Sequence, residues 1–523
     1  MPWFTSGTHL ALLVLASAIA ADVIRRLPQA KRRRKGFPLP PGPTPVPLLG
    51  NIFSIDTVEP WKTYTDWKAT YGEILYVRLL DQDVVVLNSQ PEVLEMLEKR
   101  SQIYSDRPFI ASLVPYGLDR NFAFAPYGDH WRLCRRIIHQ TFRAEAAFAF
   151  RPMQLRRARQ MIVNMIDNPE QYSSHYSTFS AAVAMSAIYD YEPRTRDDPM
   201  VHAVERFIEA AILSSALWRV IPLTIFPFLM HLPDWCPGSS IKREANHSKR
   251  CATESIEKPY QYAQKRMQTV SDHPNPSMVS DHITRMQNHD ESYRPEYENA
   301  LKEASVTAFL ASAETTTSTL LIFTLAMVLH PHVRRRAQAE IDAVIGMDAL
   351  PDYDDRPLLP YVEAIIRETV RWQPVLPCSV PHAAATSDIY KGFYIPKGAT
   401  VIGNVWAISR DESRYPNASE FIPERFLTAD GTLTDDDPLQ FTFGFGRRVC
   451  PGRHTADASL WTAIATMLAT LDFSHAKDAE GRDIEFEPKY ANGVTHHPIA
   501  FPCSISPRSH VSKSVLERAL HVG

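Results

Sequence analysis

The most apolar stretch of the chain comes first. Residues 3–24 are largely apolar, with an unbroken core at residues 10–21, near the length a helix needs to cross a bilayer. Arg25 and Arg26 come next, then a basic run from Lys31 to Lys35. Positive charge after a span keeps the downstream chain in the cytosol. This pattern predicts a signal-anchor helix over residues 1–26. A cleaved secretory signal is the competing reading, because small residues at 16–21 could form a processing site. The first eight residues carry no Lys or Arg, and the basic run lies on the far side, so the anchor is preferred. Residues 27–50 read as a basic and proline-rich hinge, since residues 37–47 hold too many prolines for a helix.

Beyond Gly50 the period shortens and then lengthens. Residues 74–80 and 84–87 predict a β-hairpin. Most of the rest has helical period. A polar stretch at residues 271–294 predicts a surface loop. A long apolar helix is predicted over residues 297–330, stopped by Pro331, and another begins near Pro360. There is no internal repeat, low-complexity tract or second linker. The pattern predicts a mainly α protein with small β-sheets.

Composition narrows the function more than the fold. Hydrophobic residues make up 45% of 523 positions, and the net charge of −3 gives no reason to expect nucleic acid. The six cysteines are scattered, with no Cys-x-x-Cys pair, which argues against a disulfide framework and for a reducing compartment. Cys450 and His454 have the spacing of half a zinc site, but the chain offers no matching second half. The sequons at Asn246 and Asn417 would stay unmodified in the cytosol.

Candidate chemistry centres on Cys450. It lies in a string with Phe443, Gly446, Arg448 and Gly452, and a helical segment comes directly after. A thiolate at neutral pH needs positive potential and N–H donors, and a following helix supplies both. Gly446 and Gly452 would let the backbone turn sharply and approach a flat cofactor. Threonines 315–317 lie inside the apolar helix, after Glu314. Back-bonding of each hydroxyl to a carbonyl one turn earlier is the plain explanation. Glu368 and Arg371 share one helix face by their spacing.

The Phe-x-x-Gly-x-Arg-x-Cys-x-Gly string resembles the haem-ligand signature of the cytochromes P450, of microsomal fungal type. The fungal likeness rests on the hinge at residues 40–43, the segment 104–108 and the loop 446–450. The resemblance covers roughly residues 36–505. It implies the cytochrome P450 fold, with one large haem-thiolate catalytic domain over residues 51–510 behind the N-terminal anchor. It implies haem b, with iron held by the Cys450 thiolate and with Phe443 and Gly452 beside it. Trp131, Arg135, His382 and Arg448 fall where the family meets the haem propionates. Glu314 and Thr315 fall on the family's acid and threonine, which deliver protons. The usual glycine before them is Ser312. Glu368, Arg371 and Arg425 match a buried structural triad.

The chain has no Gly-x-Gly-x-x-Gly fingerprint after a strand, so its electrons must come from a partner. The resemblance implies an NADPH-cytochrome P450 reductase, with Arg132, Arg136, Arg447 and Arg453 as its docking face. It also implies a monomeric catalytic unit on the cytosolic side of the endoplasmic reticulum membrane, anchored by a single pass. The expected activity is monooxygenation of a lipophilic small molecule, such as a terpenoid of fungal secondary metabolism. Segments 109–124, 208–229, 309–314, 375–380 and 493–495 would line an apolar pocket. The alternatives are a housekeeping sterol or xenobiotic hydroxylase, or a P450-fold isomerase or haem-binding protein without turnover.

Overall fold

A computed structural model describes Ser17 and residues 36–509, apart from 195–197, 216, 237, 270–276, 289, 348 and 492–494. The expected anchor therefore lies outside the described residues, Ser17 excepted. The chain divides into two compact units. The first takes in the described residues of Met1–Pro108 together with Pro377–Asp411 and Gly444–Val449. The second takes in those of Phe109–Leu376, Glu412–Phe443 and Cys450–Gly523.

The first unit is built on the predicted hairpin. Strand β1 (Ile74–Leu79) pairs antiparallel with β2 (Gln82–Leu87), from Ile74↔Leu87 to Leu79↔Gln82. Residues 84–87 are all buried. A continuous apolar run of this kind marks a strand covered on both faces and flanked on both sides. Four strands form the sheet. β3 (His382–Ala383) and β6 (Thr400–Gly403) complete it in the order β1-β2-β6-β3, and β6 runs parallel to β2. Between them, β4 (Asp388–Tyr390) and β5 (Phe393–Ile395) form a separate hairpin. Helix α1 (Pro60–Tyr71) presents Tyr64 to a core of Leu75, Val77, Val84, Val86 and Ile402.

The described part of the expected hinge is tied down. Pro41 O accepts from Tyr76 N–H at 2.8 Å, Pro38 O accepts from Tyr394 N–H at 2.7 Å, and Gly50 bridges to Leu79. Prolines cannot donate to a strand, but their carbonyls can accept from one. This run covers a sheet edge.

The second unit is helical. Its helices include α2 (Asp129–Phe142), α3 (Arg151–Asp167), α4 (Tyr172–Tyr189), α5 (Ser240–Thr269), α6 (Arg294–Leu329), α7 (Pro360–Trp372) and α8 (Arg453–Thr470). Two strands, β7 (Leu471–His475) and β8 (Cys503–Pro507), pair antiparallel. The C-terminal half of helix α6 is apolar all round because it is packed all round, with every residue from Thr316 to Val328 buried. At 1.5 Å per residue its 36 residues span about 54 Å. Its C-terminal half joins α3, α4, α7 and α8 in one core, and its N-terminal half joins α2 and α4 in another. Among the described residues it is the one helix long and apolar enough to cross a membrane. The burial of 72% of its most apolar window marks it as a core helix.

Two local expectations are corrected. The polar stretch at 271–294 holds a helix, Met278–Gln287, opened by a capping box at Ser277 and Ser280. Its few apolar residues, Met278, Val279 and Ile283, lie on one buried face with His282. The long helix runs Arg294–Leu329, not 297–330: Pro295 is tolerated in the first turn, and Pro331 starts the next helix, Pro331–Val344.

Candidate active site

Cys450 closes a tight loop. Its N–H donates to the carbonyl of half-buried Phe443 at 2.8 Å. Within the first unit the loop turns at Gly444 (φ 80°) and Gly446 (φ 55°). A Cβ on Gly446 would run into the Leu97 carbonyl oxygen. Only glycine meets both demands. Gly452 differs from expectation. Its φ is an ordinary −92°, it sits at the N-cap of α8, and a Cβ there would meet open space. The turn at Gly452 therefore does not require glycine for its φ, and the open space lies two residues from the thiol.

Burial pushes the Cys450 thiol up. Against this act the Gly452 N–H, the Arg135 guanidinium and the Arg453 guanidinium. Arg135 stands on α2, four residues after buried Trp131, whose ring lies 5.1 Å from that of Tyr127. Asp129 is the first residue of α2, and its carboxylate accepts from Arg132 at 2.5 Å. Arg132 and Arg136 are exposed on the helix, Arg447 is exposed in the loop, and Arg453 turns inward to the Cys450 carbonyl at 3.2 Å.

In the first unit, strand pairing gathers a basic cluster from three remote segments. Ala383 N–H donates to Asp106 O at 2.8 Å, which lays residues 103–107 beside β3. His382 is 3% exposed, and its Nδ1 donates to Tyr104 O at 2.7 Å. Burial, with Arg107 and Arg448 nearby, takes its pKa down to about 3, so the ring is neutral at pH 7. Arg448 is buried and donates from Nε to Ser105 O at 2.8 Å. Arg107 donates to Val380 O and Pro381 O at 2.9 and 2.7 Å. Burial and repulsion from Arg448 lower Arg107 to about 9, while Asp106 opposes this. Arg107 was missed in the sequence. The segment 104–108 gave a signal, but nothing along the chain showed that it returns to His382.

On α6, Glu314 and Thr315 are neighbours whose side chains part. The Thr315 hydroxyl donates to Ala311 O at 2.8 Å, as plain back-bonding requires, and Thr317, Ser318 and Thr319 do the same to carbonyls four residues earlier. The helix is unbroken through Ser312, whose carbonyl also accepts from Ser180 on α4 at 2.7 Å. Glu314 instead accepts from the Thr495 hydroxyl. Burial raises the Glu314 carboxyl, and Thr495 partly offsets this. His497 Nδ1 lies 3.3 Å from Thr495 Oγ1 and 3.2 Å from Ser318 Oγ. Both hydroxyl protons are committed elsewhere, so Nδ1–H is the donor. Thr495 lay in an expected lining segment, but His497 was not foreseen.

The triad assembles as expected. Arg371 and Glu368 are fully buried and joined by two bonds, Nε to Oε2 at 2.6 Å and Nη2 to Oε1 at 2.8 Å. Arg425 Nε donates to Glu368 Oε1 at 3.2 Å, and the Ile422 N–H at 2.7 Å. The remaining Arg371 donors reach Ala418 O and Glu420 O.

The expected apolar lining is only partly inward. Phe109, Phe226 and Phe228 are all exposed. Val114, Gly117, Asp119 and Arg120 line an open cleft of about 560 Å³ whose other walls carry Lys249, Glu257, Glu298 and Lys302.

Comparison with known proteins places these features. Residues 40–500 match the Cytochrome P450 family. The chain is a cytochrome P450. It is 34% identical to cytochrome P450 monooxygenase 176 and 37% identical to cytochrome P450 monooxygenase 208, both of Postia placenta, over 97% or more of every chain. It is 35% identical to cytochrome P450 monooxygenase ple1 of Rhodocybe pseudopiperita over 98% of this chain and 97% of that one. Cytochromes P450 bind haem through a cysteine thiolate and are oxidoreductases that act with a reductase partner, in general on lipophilic substrates. Many fungal cytochromes P450 are membrane-associated.

Proposed function

We propose that this cytochrome P450 is a haem-thiolate monooxygenase of a lipophilic secondary metabolite, such as a terpenoid, fed by an NADPH-dependent reductase at the endoplasmic reticulum. Cys450 is the iron ligand. One observation carries this role: a thiol with an N–H donor at Gly452, two guanidiniums acting on it, and open space over Gly452. The family pattern supports His382 and Arg448, with Arg107 beside them, as propionate partners in the first unit, and it supports the same role for Trp131 and Arg135 on α2. Two buried guanidiniums that repel each other beside one carboxylate suit a ligand that brings carboxylates of its own.

Bound haem supplies the oxygen activation, by which one atom of O2 enters the substrate and the other leaves as water, using two electrons from NADPH and two protons. The chain's own part is the handling of thiolate and protons. Positive charge and the helix N-terminus oppose the effect of burial on Cys450, and iron, when bound, would hold its sulfur as the thiolate. Glu314 holds its proton to a higher pH than an ordinary glutamate because it is buried. Thr495 and His497 stand behind it as a hydrogen-bonded line that can refill it. Thr315 can pass a proton from Glu314 or water once its hydroxyl leaves Ala311 O. Arg132 and Arg136 offer the reductase a basic face on α2.

The test is spectroscopic. Wild-type protein, reduced under carbon monoxide, is expected to give the red-shifted Soret band of thiolate-ligated haem. Folded Cys450→Ser protein is expected to lose it. A wild-type band in that variant removes Cys450 as the ligand.

A further inference from the structure

Three ligand-bearing side chains meet elsewhere in the second unit. His130 and Cys134 stand four residues apart on α2, on one face. Glu303 faces them from α6. Nε2 of His130 lies 2.6 Å from Oε2 of Glu303 and 3.6 Å from Sγ of Cys134. The three donor atoms all fall within 4.8 Å of one another. We propose that His130 Nε2, Cys134 Sγ and Glu303 Oε2 bind one zinc ion that bridges α2 and α6, with water in the fourth position.

The spacing suits the metal. Tetrahedral zinc, with Zn–N of about 2.0 Å and Zn–S of about 2.3 Å, holds nitrogen and sulfur about 3.6 Å apart. That is the separation already present. The His130–Glu303 distance would open to about 3.3 Å, a small withdrawal of the carboxylate. The carboxylate is aimed by its other oxygen. Glu303 Oε1 accepts from Asn299 Nδ2 at 3.0 Å and from Arg120 Nη1 at 3.3 Å, which leaves Oε2 turned to the imidazole. A ligand oriented by such outer hydrogen bonds is typical of a metal centre.

Charge and access agree. Cys134 is fully buried and Glu303 is 6% exposed, so an ion there must be neutralised. Zinc displaces the thiol proton to solvent, and thiolate plus carboxylate then balance its two charges. The S–H contact to Ala300 O is given up in exchange for the metal bond. A thiolate with an imidazole selects zinc over magnesium or calcium. Arg120 and Asn299 also line the open cleft of about 560 Å³, which supplies an entry path. His130 and Cys134 immediately precede Trp131 and Arg135, so the ion would fix the rotation of the helix turn that carries both.

The experiment uses tag-free holoenzyme, stripped with EDTA, incubated with zinc chloride and desalted. Zinc per chain is measured by mass spectrometry, and zinc-edge X-ray absorption reads the ligands. Wild type is expected to retain about one zinc per chain, with one sulfur at about 2.3 Å. His130→Ala and Cys134→Ala should each retain less than about one fifth of that. His130 is partly exposed, so its variant keeps the test decisive if Cys134→Ala misfolds, and haem content reports folding in both. Wild type without zinc leaves an ordinary hydrogen-bonded helix contact and overturns the proposal. Zinc retained equally by both variants, or an absorption edge without sulfur, overturns it as well.

Discussion

At residue scale the protein separates proton handling from haem retention. Thr315→Ala removes a hydroxyl that bonds only its own helix in this structure, so α6 should fold and haem should stay. Turnover should become wasteful, with less product per NADPH and more hydrogen peroxide, because an ordered donor is lost before O–O cleavage. Removing such a group typically slows the productive step by about 10²–10⁴-fold. Full coupling with the natural substrate would make Thr315 a packing residue. Thr495→Val tests the line behind Glu314. It keeps shape but deletes the hydroxyl that links Glu314 to His497. Product formed per NADPH should fall while substrate affinity changes little, and an unchanged ratio would show that Glu314 is refilled from elsewhere.

At the scale of elements, buried polar links hold helices to loops. Arg371→Ala leaves Glu368 charged, buried and short of two bonds, which costs about 3–5 kcal/mol. Little haem protein should accumulate in cells, and normal yield would show the triad to be dispensable. A second link gives a pH signature. His282 is buried between Tyr297 on α6 and Ile137 on α2, with its Nδ1 2.7 Å from the Tyr297 hydroxyl. Burial takes its pKa from 6.5 to about 4. The unfolded chain therefore binds this proton first as pH falls. Stability should drop from about pH 6.5 to about pH 4 and then level, by on the order of 3 kcal/mol. His282→Gln, which cannot take up that proton, should lose this part of the acid slope in denaturant titrations at several pH values.

The legibility of the sequence divides between local and remote contacts. The Cys450 loop, the Glu368–Arg371 pair and the Trp131–Arg135 pair are set by spacing along one element, so they could be read directly. The hairpin was visible as two short apolar runs, and α6 as one long apolar run that Pro331 stops. The Met278–Gln287 helix was hidden because only a few apolar residues mark its buried face. Arg107 joins His382 and Arg448 through strand pairing across remote parts of the chain, and Glu314 meets Thr495 across 181 residues. No local pattern records such meetings.

For the whole molecule, the proposed anchor and the folded core should be separable. Deleting residues 1–26 should shift much of the protein from the membrane pellet to the supernatant while the reduced carbon monoxide band survives. Protein that stays fully membrane-bound would place its main attachment elsewhere on the molecule. The apolarity of α6 has another consequence, which arises before the fold exists. While the ribosome is still making the chain, α7, α8 and β7 have not yet emerged to cover this helix. An insertion channel would then meet a segment of membrane-spanning length. Glu314 is the one charged residue between Ala304 and Leu329. A charge near the middle of a span opposes insertion by roughly 2.5–3.5 kcal/mol. The proposed proton donor of the finished enzyme thus also weighs against insertion of the half-made chain, and an apolar residue at 314 would remove that cost along with the proton donor.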